Sequence, residues 1–181
     1  IVLFLFLFMQ AAFNSLAQET FPFQGKINSD NINIRSDSTV NSEIICTINK
    51  EEPVEVISEL YDWYKIKLPK DAPSFIKKEL VRLIDAGTAK VSGDIVNIRL
   101  KAGEASPIHG KVKENEIVNI LVGSGDWYRI EPVDNSFGWI NKKFIRKALK
   151  KELVAEANKA IKDQQEHPFA AEEQVITIEG I

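Results

Sequence analysis

The chain has 181 residues, with 23 Lys and Arg against 26 Asp and Glu, 44% hydrophobic and 27% charged residues. A formal charge of -3 without a long basic run argues against a protein built to grip nucleic-acid backbone or anionic lipid, both of which demand clustered Lys and Arg. With 9 Gly and 7 Pro the chain is neither collagen-like nor of low complexity, and its lone Cys46 cannot form an intramolecular disulfide.

The first element is an uninterrupted apolar run, Ile1 to Phe8, followed by the small and polar stretch to Ala17. The run is too short for a membrane span of ~20 residues, and Ser15-Leu16-Ala17 offers small residues at the -3 and -1 positions of a signal-peptidase site. Residues 1–17 therefore read as a secretory signal truncated at its start, with Gln18 opening the mature chain; a buried apolar strand or an uncleaved anchor is the competing reading. A lipid anchor would need a Cys at the cleavage point, and Cys46 comes too late. Soluble export, to a periplasm, envelope or extracellular space, is the expectation.

The next feature is a duplication. Asn33-Ile34-Arg35 recurs as Asn97-Ile98-Arg99 and Asp62-Trp63-Tyr64 as Asp126-Trp127-Tyr128, both 64 residues later. Residues 26–82 align with 90–146 without a gap, and 16 of 57 positions are identical. Each unit has about 60 residues, near the lower limit for a domain with a core of its own.

Inside a unit the apolar period is two. Ile32 and Ile34 alternate with Asn33 and Arg35, and Tyr64 and Ile66 alternate with Trp63 and Lys65. These are half-buried strands, repeated at Val96/Ile98, Val118/Ile120 and Tyr128/Ile130. Five or six short strands per unit are expected. A sheet this small must hide its edges by curling into a closed or half-closed barrel. The expected boundaries are 23–84 and 88–148, joined by an Asp85-Ala86-Gly87 linker.

After Phe144 the period lengthens. Ile145, Leu149, Leu153, Ala157 and Ile161 recur every four residues among Lys and Glu, predicting an amphipathic helix over 149–167 that His167-Pro168 ends. It either packs on the second unit or acts as a spacer, and its balanced charge does not suit membrane insertion. Residues 174–181 read as a strand opening a further, truncated domain.

The ordered set of Asn-Ile-Arg, Val-x-Val/Ile, Asp-Trp-Tyr-Lys/Arg-Ile and Phe137-Gly138-Trp139-Ile140, in two copies, resembles the bacterial SH3 (SH3b) domain over about 23–148. The first copy has Ser74-Phe75 in place of Gly138-Trp139. Both copies lack the Gly-Pro usual after the Arg. The resemblance implies two small SH3-like β-barrels in tandem, followed by the helix, in an exported module that binds cell-wall peptide or glycan or a protein segment.

Strand alternation turns Trp63 and Trp127 at least partly outward beside Lys65 and Arg129. Two readings are open for these rings: an aromatic groove for a sugar face or peptide side chain, shared with Tyr61, Phe75 and Trp139, or a lid over each barrel's own loops. Arg35 and Arg99 either pin the loop that follows them, bridging to Asp62 or Asp126, or present forked donors to carboxylates of peptidoglycan stem peptides. Two weak barrels on one chain gain avidity through effective concentration, which is a physical reason for the duplication.

No catalytic residues are expected. Cys46, His109 and His167 show no nucleophile–base spacing, Cys46 reads as a buried thiol, and scattered ligands exclude zinc. No cofactor is expected, and the partners are peptidoglycan or an envelope protein segment. The competing functions are a structural adaptor whose Trp faces are packed, and the targeting region of a cell-wall enzyme lying beyond Ile181.

Overall fold

The structure is a computed structural model that describes residues 19–166; the expected signal at 1–17 and strand at 174–181 lie outside the described residues. The first repeat supplies β1 (Phe23–Ile27), β2 (Ile32–Arg35), β3 (Ile44–Ile48), β4 (Pro53–Leu60), β5 (Trp63–Lys67), β6 (Phe75–Lys77) and β7 (Val81–Leu83). The second supplies β8 (Thr88–Val91), β9 (Ile95–Arg99), β10 (Ile108–Lys113), β11 (Ile117–Ser124), β12 (Trp127–Ile130), β13 (Phe137–Asn141) and β14 (Ile145–Lys147). A helix, α1 (Lys150–Glu166), follows. The period of two is realised in the strands, as in β2, where Ile32 and Ile34 are buried and Asn33 and Arg35 are not.

The strands form two seven-stranded sheets, one more strand per sheet than the pattern predicts at most. Their membership departs from the sequence units. One sheet runs β14-β1-β4-β5-β13-β2-β3 and the other β10-β9-β6-β12-β11-β8-β7. The two repeats have exchanged their last strands. β13 pairs with β5 in the register Ile140↔Tyr64 and Gly138↔Ile66, and meets β2 at Trp139↔Arg35. Reciprocally, β6 pairs with β12 at Ile76↔Tyr128 and meets β9 at Phe75↔Arg99. A central barrel is thus continuous over 75–130, while a split barrel is assembled from the flanks, 23–67 and 137–147.

The expected boundaries at 23–84 and 88–148 describe the sequence repeat and not these spatial barrels. The physical reason lies in the duplication itself. Both closing strands carry a fully buried Ile, Ile76 or Ile140, so either strand satisfies either core. The connections meet where the strands are exchanged. The segment after β5 crosses the one before β13, where Leu68 N–H donates to Ser136 C=O at 3.0 Å and Ile130 N–H to Ser74 C=O at 2.9 Å. Ser74 and Ser136 are both buried there. Gly138 permits the close approach, because a Cβ on it would lie 2.4 Å from Ile34 Cγ2 and 2.9 Å from Leu68 Cδ2.

Each barrel has one core. Ile27, Ile34, Ile48, Val56, Ile66 and Ile140 come from six strands of the split barrel, and Ile145 of the seventh packs on them. One core fed by every strand, edges included, requires a curled sheet. In the central barrel Ile76, Val91, Ile98, Val112, Val118 and Ile130 play the same part. Fully burying such a side chain is worth about 1.5–3 kcal/mol, so Ile140 stabilises the barrel of the other repeat.

The expected linker is a hairpin turn inside the central barrel. It joins β7 to β8, and Asp85 accepts hydrogen bonds from Gly87 N–H at 2.8 Å and from Thr88 N–H at 2.7 Å. The helix forms as expected. Glu152 caps its start by accepting from Leu149 N–H at 2.7 Å, and the Arg146–Glu152 and Lys26–Glu156 ion pairs tether its first turns to the split barrel. Its apolar residues Leu153, Val154 and Ile161, and Leu149 just before it, stay exposed.

Candidate functional site

The hairpin joining β4 to β5 turns through Tyr61, whose φ is +50°. The same position of the central barrel is Gly125, at φ +54°. Gly adopts this left-handed backbone freely, whereas an L-residue with a Cβ costs about 1–2 kcal/mol there. Tyr61 is 87% exposed, so burial does not offset that strain. A strained, solvent-facing aromatic at a turn where Gly serves equally well is a candidate ligand contact.

Two residues on, Trp63 is half-buried and lines a groove of about 190 Å³. Asn33, Arg35 and Val40 line it from the first repeat, and Asn141 and Phe144 from the second. The exchange therefore builds the groove. Lys142 N–H donates to Asp62 C=O at 2.9 Å and fixes the returning chain against the hairpin. Arg35 Nη1 donates to Ser42 C=O at 2.8 Å, holding the loop that presents Val40, which is 67% exposed. Aromatic floor, apolar lip and amide groups suit a sugar ring or an extended peptide.

The counterpart is closed. Trp127 was expected to lie at least partly outward and is only 8% exposed. At the positions equivalent to Val40, Asn141 and Lys143 the central barrel carries Glu104, Lys77 and Glu79. Lys77 Nζ lies 2.7 Å from Glu79 and 3.0 Å from Glu104, and Arg99 lies 3.7 Å from Glu104. These bonds hold the Lys77 ammonium above its ordinary value, and the hydrogen bond from Lys77 holds the Glu104 carboxyl below its own. The ion pairs tie the wall positions of the would-be groove together, where the split barrel has no such link.

Both arginines pin the loop that follows them. Arg99 Nη1 donates to Ser106 C=O at 2.8 Å, matching Arg35, so main-chain carbonyls take the place of the expected Asp62 and Asp126 partners. A main-chain acceptor is available whatever the loop's sequence, which suits two loops as different as these. Phe75 does not join the Trp63 groove; it lies half-buried on β6, opposite Arg129 and Arg99 in the central barrel. Trp139 stands on β13 opposite Lys65 and Arg35, facing the junction between the barrels with Phe137.

Sequence patterning misses Val40, Asn141 and Phe144. Val40 carries a local signal, as the lone apolar residue in a polar loop; the other two come from the opposite repeat and are invisible without the exchange. Cys46 is partly buried, and burial first, then Asp71 and Glu52, pushes its thiol up to about 12. His109 is buried, and burial lowers its pKa. No metal-binding group of three or more His, Cys, Asp or Glu occurs among the described residues, and no helix there is long and apolar enough to cross a membrane.

The family model for the bacterial SH3 domain matches residues 30–81 and 94–146, more than half of the chain. Comparison with curated proteins finds no match. Each matched segment gives its earlier strands to one barrel and its last to the other. On the strength of two matched segments and two SH3-like sheets, the chain belongs to the bacterial SH3 domain family, a family of binding modules.

Proposed function

We propose that this chain is an exported binding module that recognises cell-wall peptide or glycan through one groove, that of Trp63 in the split barrel. The carrying observation is the contrast between the two repeats. Trp63 sits in an open groove with the exposed Val40 at its lip and the exposed Tyr61 two residues away on the same hairpin, while Trp127 is covered. A ligand ring stacks on Trp63, and the amides of Asn33 and Asn141 supply hydrogen bonds. One open groove gives single-site binding, without the avidity of two equal barrels. The apolar run and the Ser15-Leu16-Ala17 site support export, and the family's frequent envelope association fits it.

The test is co-sedimentation of residues 18–181 with purified peptidoglycan sacculi, comparing wild type, Trp63→Ala and Tyr61→Gly. Wild type should pellet, Trp63→Ala should remain in solution, and Tyr61→Gly should pellet weakly. Wild type remaining in the supernatant would reject wall recognition and favour an adaptor that docks a protein segment.

A further inference from the structure

Because the exchange is reciprocal, the barrels meet at two junctions whose residues correspond 64 positions apart. One junction is filled. Ile45 and Leu100 are buried there in a small apolar cluster, with Cys46 packed on it. At the other junction the corresponding residues are His109, Ser36 and Gly110, and a cavity of about 440 Å³ stands in place of the cluster. Gly110 has no room for anything larger, since its Cβ would lie 2.6 Å from Ser136 Oγ. Polar and small residues thus keep open a space that its twin closes with Leu and Ile.

The cavity is cationic and aromatic. Lys65 enters from the split barrel and Lys111 from the central one, and among the described residues no Asp or Glu lines it. Lys65 Nζ lies 4.6 Å from the Phe137 ring centroid and 6.0 Å from that of Trp139. The ion pairs of the described residues engage other lysines and neither of these two. The counterpart of Lys65, Arg129, instead turns a donor to Asp71 C=O at 3.4 Å. His109 Nε2 lies 3.1 Å from Pro73 C=O, which assigns its proton there and leaves Nδ1 a buried acceptor with no hydrogen-bond partner among the described residues. Burial keeps the ring neutral, so the positive charge of the cavity comes from the lysines.

We infer that this junction cavity is a second binding site, for a small carboxylate carried on a flat or apolar body. The ammonium of Lys65 takes the carboxylate in a charge-assisted bond, and the Phe137 and Trp139 rings take the body. The volume lies in the range of small-molecule sites. A peptide C-terminus and a sugar acid share this chemistry. The cavity and the Trp63 groove have no lining residue in common, so either can fail without the other.

The test is an NMR titration of residues 18–181, following the Trp139 indole N–H. The probes are N-acetyl-Ala-Ala against its C-terminal amide, and glucuronic acid against glucose. At least one acid should give a saturable shift that its neutral counterpart does not, and which acid does so identifies the source. Lys65→Gln should weaken that binding about tenfold, the loss of one charge-assisted hydrogen bond. Ser36→Leu should abolish it by filling the cavity as Leu100 fills the twin, and Trp63→Ala should leave it unchanged. Absence of a saturable shift with either acid, equal binding of the neutral probes, or full affinity in Lys65→Gln would overturn the assignment. The Lys65→Gln result decides the matter should Ser36→Leu misfold.

Discussion

The two barrels share a strand order, a core and a 64-residue correspondence, yet they treat the same Trp in opposite ways. In the split barrel Val40, Asn141 and Lys143 surround Trp63 with no ion pair between them, only a hydrogen bond from Lys143 N–H to Asn141 Oδ1, and a groove remains. In the central barrel Glu104, Lys77 and Glu79 occupy those positions, pair with one another and leave Trp127 almost without solvent contact. The junctions show the same asymmetry, one packed with Leu100 and Ile45 and the other open around Ser36 and His109. Duplication supplied two equivalent frames, and a few side chains decide which sites are open.

The comparison breaks most severely if the exchange is absent. A chain ending at residue 130 lacks β13 and β14, so amide protection should vanish at Ile27, Ile34 and Ile66 and persist at Ile98 and Ile130 in hydrogen exchange. Two barrels closed within their own repeats would give the reverse pattern, with the first protected and the second lost. Next in size, Trp127→Ala should cost about 3–5 kcal/mol in denaturant unfolding, as for a buried aromatic. Trp63→Ala should cost about 1 kcal/mol, because its ring is partly in water already; equal losses would remove the distinction between floor and core.

Tyr61→Gly should raise stability by about 0.5–1 kcal/mol by relieving the left-handed backbone, while weakening ligand binding. A loss of stability would mean that Tyr61 makes packing contacts its exposure does not suggest. The smallest change concerns the ion pairs around Trp127. Glu104 has its carboxyl held below the ordinary value of 4.5 by Lys77. Its contribution is therefore present above that value and is lost as pH falls through the lowered one. Acrylamide quenching of Trp127 should rise over that acid range, and at neutral pH in Glu104→Val with Glu79→Lys, while quenching of Trp63 stays constant. Surface ion pairs contribute little, so global stability should scarcely move.

Much of the fold is legible because strand alternation is a local property. Ile32, Ile34, Tyr64 and Ile66 announce their burial through spacing alone, and the Asn-Ile-Arg and Asp-Trp-Tyr repeats place both sheets. The inference that Arg35 and Arg99 pin their loops also follows from position, although the acceptors are carbonyls and not Asp62 or Asp126. The fate of the tryptophans was less accessible. Trp63 and Trp127 sit in the same tripeptide, and what differs lies in partners 23 to 80 residues away.

By itself the sequence determined the strand periodicity, the duplication, the helix and the family, since each rests on spacing between near neighbours or on the order of motifs. Which closing strand completes which barrel was decided only in three dimensions. Ile76 and Ile140 satisfy either core equally, so patterning is blind to the exchange. The Trp63 groove and the junction cavity follow from that exchange. Both combine residues from opposite repeats, and only the folded chain brings Trp63 to Asn141 and Lys65 to His109.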